Sequence, residues 1–266
     1  MDLLYGNLTY QIRKAIFYVH NHLGYGLTEE IYHQGLKCYF EKNGIQHKSK
    51  QRESLFHRGK SIATFECDFL IEDLVILELK VIQSKFSQDH LRQMLEYLKF
   101  WNKKLGLLIN FGFEKANIQR SLYSEKDKKL SENYDHFKNR LCDDDRKELA
   151  EIRKAILNVF EIHGLGYGDR IYYELLKAEL SFKNMNWKMD VEVPIFFDDV
   201  FLRNFEIPFL LVNDKFLLGV KALADEISSY DIARTLTYLR KLNVRFGLFV
   251  NFGKEELQVR GVYNKS

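Results

Sequence analysis

The stretch FECDFLIEDLVILELK, residues 65–80, holds the side chains best placed to do chemistry. Two apolar-rich segments flank a turn near Glu72 and Asp73, and a hairpin centred on residue 73 sets Asp68 directly across from Glu78. Alternation along a strand puts Glu78 and Lys80 on one face and Leu77 and Leu79 on the other. Facing residues have Cβ atoms about 4.5 to 5.5 Å apart, so two carboxylates placed this way repel in a bare sheet. A hard divalent cation between them reverses the sign, because Mg²⁺ takes oxygen ligands and keeps several waters. Lys80 is then placed to serve an attacking water or to neutralise charge developing on a phosphate. The same spacing also suits an exposed sheet face with a Glu78 to Lys80 surface pair.

Three further features stand beside this stretch. The segment GLTEEIY opens a helix, with Glu29 in its first turn just after Gly24 and Gly26; a carboxylate there is favourable for the helix dipole alone. Gln93 and Tyr97 are one helical turn apart and point at the same place, though such residues also border ordinary amphipathic helices. Lys48, Lys50, Arg52, Arg58 and Lys60 precede the hairpin and read either as a phosphate-contacting patch or as a solvated strand pair.

Gly26, Glu29 and Tyr32 read as G-x-x-E-x-x-Y. With Asp68, Glu78-Leu79-Lys80, the run Gln93 to Tyr97 and GLLINF at 106–111, the pattern resembles the GxxExxY family of the PD-(D/E)XK nuclease superfamily, over essentially all of residues 10–120 and in that family's order. The resemblance implies a restriction-endonuclease-like core in which Asp68 and Glu78 hold a metal and Lys80 serves the attacking water. Glu29, as a further ligand, and Gln93 complete the site. It implies hydrolysis of phosphodiester bonds in DNA or RNA with Mg²⁺ or Mn²⁺ as cofactor.

The chain is duplicated. IRKAI occurs at 12–16 and at 152–156, and the same shift of 140 carries Gly24 and Gly26 to Gly164 and Gly166, Tyr32 to Tyr172, and Phe65 to Phe205. One inserted residue makes the shift 141, which takes Lys80 to Lys221, Tyr97 to Tyr238 and Asn110-Phe111-Gly112 to Asn251-Phe252-Gly253. The second copy departs where the chemistry is: Asp169 stands for Glu29, Pro208 for Asp68, Gly219 for Glu78 and Arg234 for Gln93. Without the facing carboxylates there is no reason for a cation to bind. Asp169 then serves as a helix cap, and Arg234 takes the metal's place near Glu206. The expected organisation is a nuclease-like domain over 1–120, a charged linker over 121–150 and a pseudo-nuclease domain over 151–266, the two copies packed as an intramolecular pseudo-dimer.

Ile12, Ile16, Val19 and Leu23 predict a helix ended by Gly24, and a second helix runs over about 28–43. Strands follow near 52–57, 61–71 and 74–82, then a helix over 87–102 and a closing strand over 105–111. The fold class expected is α/β, with two restriction-endonuclease-like domains, each a mixed central sheet flanked by helices.

Composition bounds the rest. With 266 residues, 46% hydrophobic and only two prolines, the chain can bury an ordinary core, so disorder is excluded. No run reaches the roughly 18 apolar residues of a membrane helix; no membrane role and a cytoplasmic location are expected. Three cysteines without paired spacing give neither a disulfide framework nor a zinc ribbon. The net charge is only +3, and residues 1–120 carry 17 basic against 13 acidic residues, so contact with nucleic acid must come from local patches. No GxxxxGK[ST] loop, HExxH pair or GxSxG elbow is present. The two function classes that remain are a metal-dependent nuclease working from the first copy and a non-catalytic nucleic-acid-binding or assembly subunit built on the same fold.

Overall fold

The computed structural model describes residues 3–265. The chain divides into two units, one of Met1–Leu55 with Ala63–Glu125 and one of Phe56–Ile62 with Lys126–Ser266.

In the first unit, Ile12, Ala15, Ile16 and Val19 recur at helical spacing and are all buried on α1 (Gly6–Leu23), which stops at Gly24. Helix α2 (Glu29–Lys42) packs on α1. The chain then forms β1 (His47–His57), β2 (Lys60–Ile71), β3 (Val75–Lys80), α3 (Gln88–Phe100), β4 (Leu105–Asn110) and β5 (Asn117–Leu122). They make one mixed sheet in the order β1-β2-β3-β4-β5, with β3 and β4 parallel and the β2–β3 and β4–β5 pairs antiparallel. Leu77, Leu79, Leu107 and Ile109 join Ile12, Ile16, Tyr32 and Leu36 in one core cluster. Glu78 and Lys80, of opposite parity, face away from it, and α3 packs against β3, β4 and β5.

Two strands differ from the expectation. β1 begins at His47, not near 52, and β5 follows the strand expected to close the unit. Both lie at sheet edges and are largely exposed, so neither needs the apolar alternation by which a strand is read.

The second unit begins inside the stretch expected to be a linker. β6 (Leu130–Asn133) pairs in parallel with β13 (Leu257–Tyr263), and α4 (Asp135–Lys138) follows, with Tyr134, Phe137 and Leu141 buried. Helix α5 (Asp143–His163) opens on Asp143, Asp144 and Asp145, the acidic first turn that suits a helix dipole. The remaining elements are α6 (Asp169–Phe182), β7 (Trp187–Lys188), β8 (Val191–Phe197), β9 (Val200–Ile207), β10 (Leu210–Val212), β11 (Phe216–Ala222), α7 (Ser229–Leu242) and β12 (Phe246–Phe252). The main sheet runs β6-β13-β12-β11-β10-β7, while β8 and β9 form a separate two-stranded ribbon.

The duplication holds at the level of backbone geometry. Arg58 and Asp198 share φ 49, Lys50 and Asp190 have φ 50 and 55, and Glu72-Asp73 and Asn213-Asp214 are matched left-handed turns. Each of these non-glycine residues sits where the chain must kink or reverse, and the kink survives although every side chain but that of Asp73 and Asp214 has changed. No helix among the described residues is long and apolar enough to cross a membrane.

Candidate active site

Phe69 lies opposite Leu77 in the β2–β3 register, so the next positions across the hairpin are Asp68 and Glu78. Both are 95% buried, at 5% relative exposure each. Asp68 Oδ2 accepts the Leu79 backbone N–H at 2.7 Å, and Oδ1 accepts Lys50 Nζ at 2.6 Å. Glu78 Oε1 accepts Lys80 Nζ at 2.7 Å. Burial, and then the charge of Asp68, pushes the Glu78 carboxyl up to about 7, against the pull of Lys80. Cys67, buried beside the pair, is pushed up to about 12 by burial and by the same two carboxylates, so it stays a neutral thiol.

Glu29, at the start of α2, is half-buried, and its pKa is raised by burial, opposed by Lys80 and reinforced by Asp68. Its placement depends on Tyr32. The Tyr32 hydroxyl donates to the Gly24 carbonyl at 2.7 Å, and its ring stacks on Phe111 at 4.3 Å. The tyrosine of G-x-x-E-x-x-Y thus fastens the turn between α1 and α2 on which Glu29 sits. Gln93 donates to the Tyr97 hydroxyl at 2.7 Å, and Tyr97 is raised by burial and by the charge of Glu78. Asn110 holds the chain leaving Lys80: its Oδ1 accepts from Ile82 and Gly112, and its Nδ2 donates to the Ile82 carbonyl.

Asp68, Glu78 and Lys80 therefore come together directly, while Glu29 and Gln93 border them. Among the described residues no three acidic, histidine or cysteine side chains are close enough to hold an ion as a set. Two buried carboxylates nevertheless fit a hard cation that keeps part of its water shell. Their chemistry argues the same way, since like charges share a site in which Glu78 ionises with difficulty.

Two residues escaped sequence reasoning. Lys50 stood only as one member of a basic run, yet its left-handed backbone turns its ammonium onto Asp68; hydrogen bonding to Asp68 raises its pKa in spite of burial. His33 is buried against Phe69, with Nε2 3.3 Å from the Asp68 carbonyl and 3.2 Å from Ser49 Oγ. Nothing in its spacing sets it apart. The basic run itself is dispersed: Lys48 lies 3.8 Å from Asp73, Arg52 3.9 Å from Glu66, and Arg58 belongs to the second unit, bonded to Glu179.

The second unit rebuilds the same place without carboxylates. Leu210 lies opposite Leu218, so the residue facing Gly219 is Phe209, not Pro208, and the inserted residue falls between β9 and β10. The Phe209 ring fills the space: a Cβ at Gly219 would overlap it and would come 2.7 Å from Phe249 Cδ2. Tyr173, at the position of His33, donates to the Pro208 carbonyl at 3.1 Å and accepts the Val220 N–H at 2.9 Å. Lys221 pairs with Asp231 at 2.9 Å. Arg234 is not near Glu206 in any ion pair among the described residues; it lies over the Phe209 and Tyr230 rings, 3.6 Å from Asp231. Gly168, not Asp169, caps α6.

A family model described as the PD-(D/E)XK nuclease superfamily matches residues 6–121 and again 146–262. No curated protein matches the chain. A solved structure described as the crystal structure of SSO0001 is similar at 18% identity with a TM-score of 0.30, over 35% of this chain and 50% of its own. The chain thus spans about half the length of that solved relative.

Proposed function

The chain belongs to the PD-(D/E)XK nuclease superfamily, whose members are usually nucleases that use divalent metals, and from that premise we propose that it is a metal-dependent nuclease with one hydrolytic site, in the first unit. The observation that carries this reading is the buried Asp68 and Glu78 pair with Lys80 bonded to Glu78, the two carboxylates being lost together in the second unit while the lysine stays as Lys221. The G-x-x-E-x-x-Y segment, with Tyr32 fastening the turn beneath Glu29, supports the GxxExxY family within that superfamily.

Asp68 and Glu78 would hold Mg²⁺ or Mn²⁺, with Glu29 beside them. When bound, such an ion polarises a phosphoryl oxygen and makes water a better nucleophile. Asp68 is held in place by the Leu79 N–H, which fixes one carboxylate oxygen and leaves the other to exchange Lys50 for a cation. Lys80, with its side chain 18% exposed, keeps a positive charge at the edge of the site, where it can orient an attacking water or offset charge on the scissile phosphate. Gln93 and Tyr97 wall the site from the α3 side.

The second unit is read as non-hydrolytic, because Phe209 and Tyr173 occupy the space and the hydrogen bond of the missing carboxylate. A binding or assembly role fits that half of the chain. The test is cleavage of double- and single-stranded DNA and of RNA by the full chain with Mg²⁺ or Mn²⁺, alongside Asp68→Asn and Lys80→Ala. Cleavage lost at least a hundredfold in both variants supports the assignment. Equal cleavage by wild type and both variants removes it.

A further inference from the structure

The tip of the β1–β2 hairpin, Phe56–Ile62, belongs to the second unit, where it makes a buried polar contact with α5 and α6. His57 Nε2 donates to Glu179 Oε2 at 2.8 Å, and His57 Nδ1 shares a hydrogen bond of 3.0 Å with His163. Arg58 Nε donates to the same carboxylate at 2.7 Å, and its guanidinium lies 4.4 Å over the Phe182 ring. Asn158 completes the set, donating to Glu179 Oε1 at 2.8 Å.

A shift of 140 maps every member of this contact onto the other copy. The helix pairs superpose residue by residue: Tyr32 and Tyr172 donate to Gly24 and Gly164 at the same 2.7 Å and stack on Phe111 and Phe252. On the hairpin side, His57 becomes Phe197 and Arg58 becomes Asp198. On the helix side, Glu179 becomes Tyr39, Asn158 becomes Tyr18, His163 becomes Leu23 and Phe182 becomes Lys42. Both sides have changed together. The histidine among polar groups has become a phenylalanine opposite aromatic and aliphatic groups, and the arginine over a ring has become an aspartate opposite a lysine.

These two mapped surfaces are exposed. Phe197 is 69% exposed and Tyr18 50%, and neither Asp198 nor Lys42 has an ion-pair partner among the described residues. The hairpin tip adds exposed Phe196, Val200 and Phe201, all on a two-stranded ribbon. The ribbon's base packs on the core through Val193 and Ile207 while its tip is bare, and an exposed apolar patch of this kind marks an interaction site.

We propose that the β8–β9 hairpin tip docks on the α1–α2 face of a second copy of this chain, with Phe197 against Tyr18, Leu23 and Tyr39, and Asp198 on Lys42. The occupant is a copy because the surface complementary to the hairpin in both apolar character and charge is carried by the same sequence. Each chain has one hairpin tip and one helix face to give, and two copies that exchange both make a twofold dimer.

The test is the mass of the full chain in solution, by sedimentation equilibrium up to about 100 µM, a range that captures weak self-association. A dimer is expected, with Phe197→Asp and Tyr18→Asp each weakening it at least tenfold; both positions are exposed, so melting of the monomer should not change. Mixing these two variants should recover part of the association, because the helix face of one and the hairpin of the other form one intact contact. Asp198→Lys should weaken the dimer and Lys42→Asp added to it should recover it. A wild-type monomer across the range overturns the proposal. So does a dimer indifferent to Phe197→Asp and Tyr18→Asp, or a charge reversal that is not rescued.

Discussion

The Tyr173 hydroxyl accepts the Val220 backbone N–H at 2.9 Å, in the place where Asp68 accepts the Leu79 N–H at 2.7 Å in the first unit. A buried strand N–H must be satisfied, so loss of the aspartate required another acceptor. Tyr173→Phe should therefore cost about 1 to 3 kcal/mol, the penalty of an orphaned buried donor, with cleavage by the first unit unchanged. Denaturant unfolding and the nuclease assay on one preparation check both halves.

Gly219 is the other half of that replacement. A methyl group there meets Phe209 and Phe249, both aromatic and buried, and neither can move aside into solvent. Gly219→Ala should destabilise by roughly 1 to 3 kcal/mol. Most of that cost should vanish in a Phe209→Ala background, so a double-mutant cycle should show strong coupling.

Tyr32 and Glu29 should separate by experiment, although one short motif carries both. Tyr32→Phe leaves the Gly24 carbonyl without the hydroxyl and should cost about 1 kcal/mol of stability. Glu29→Gln should lower cleavage strongly and stability little if the carboxylate serves the site. A stability loss of a few tenths to about 1 kcal/mol with unchanged cleavage would reduce it to a helix-end charge.

Glu78 should give the metal-free protein a distinctive pH dependence. Its carboxyl sits at about 7 in the fold against an ordinary 4.5, mainly because it is buried. A raised carboxyl binds its proton more tightly folded than unfolded, so the stability it contributes is complete below about 4.5 and is lost as pH rises through 7. Without metal, Glu78→Gln should match wild type near pH 4 and exceed it above pH 7, by up to about 3 kcal/mol. Thermal melts across pH in chelator check this; a constant offset would contradict it.

Much of the site was legible in the sequence because it lies on elements with strong periodicity. A hairpin centred on residue 73 is enough to set Asp68 across from Glu78, and alternation separates Glu78 and Lys80 from the core-facing leucines. Lys50 was not legible as a site residue, since its approach to Asp68 depends on a left-handed kink in a largely exposed strand. The place of Phe209 was missed for a related reason: residue matching carried the shift of 140 through Pro208, and only the register with β11 puts the insertion before Phe209. β6 hid among charges because one parallel pairing with β13, not an apolar run, recruits it to the sheet.

We propose that the chain carries one cation site, made by Asp68 and Glu78. Calorimetric titration of the metal-free full chain with Mn²⁺ near neutral pH tests it most directly. One ion per chain is expected, lost in Asp68→Asn and in Glu78→Gln and retained in Asp169→Asn. An absence of binding at millimolar Mn²⁺, or an ion kept by both carboxylate variants, would remove the site from Asp68 and Glu78.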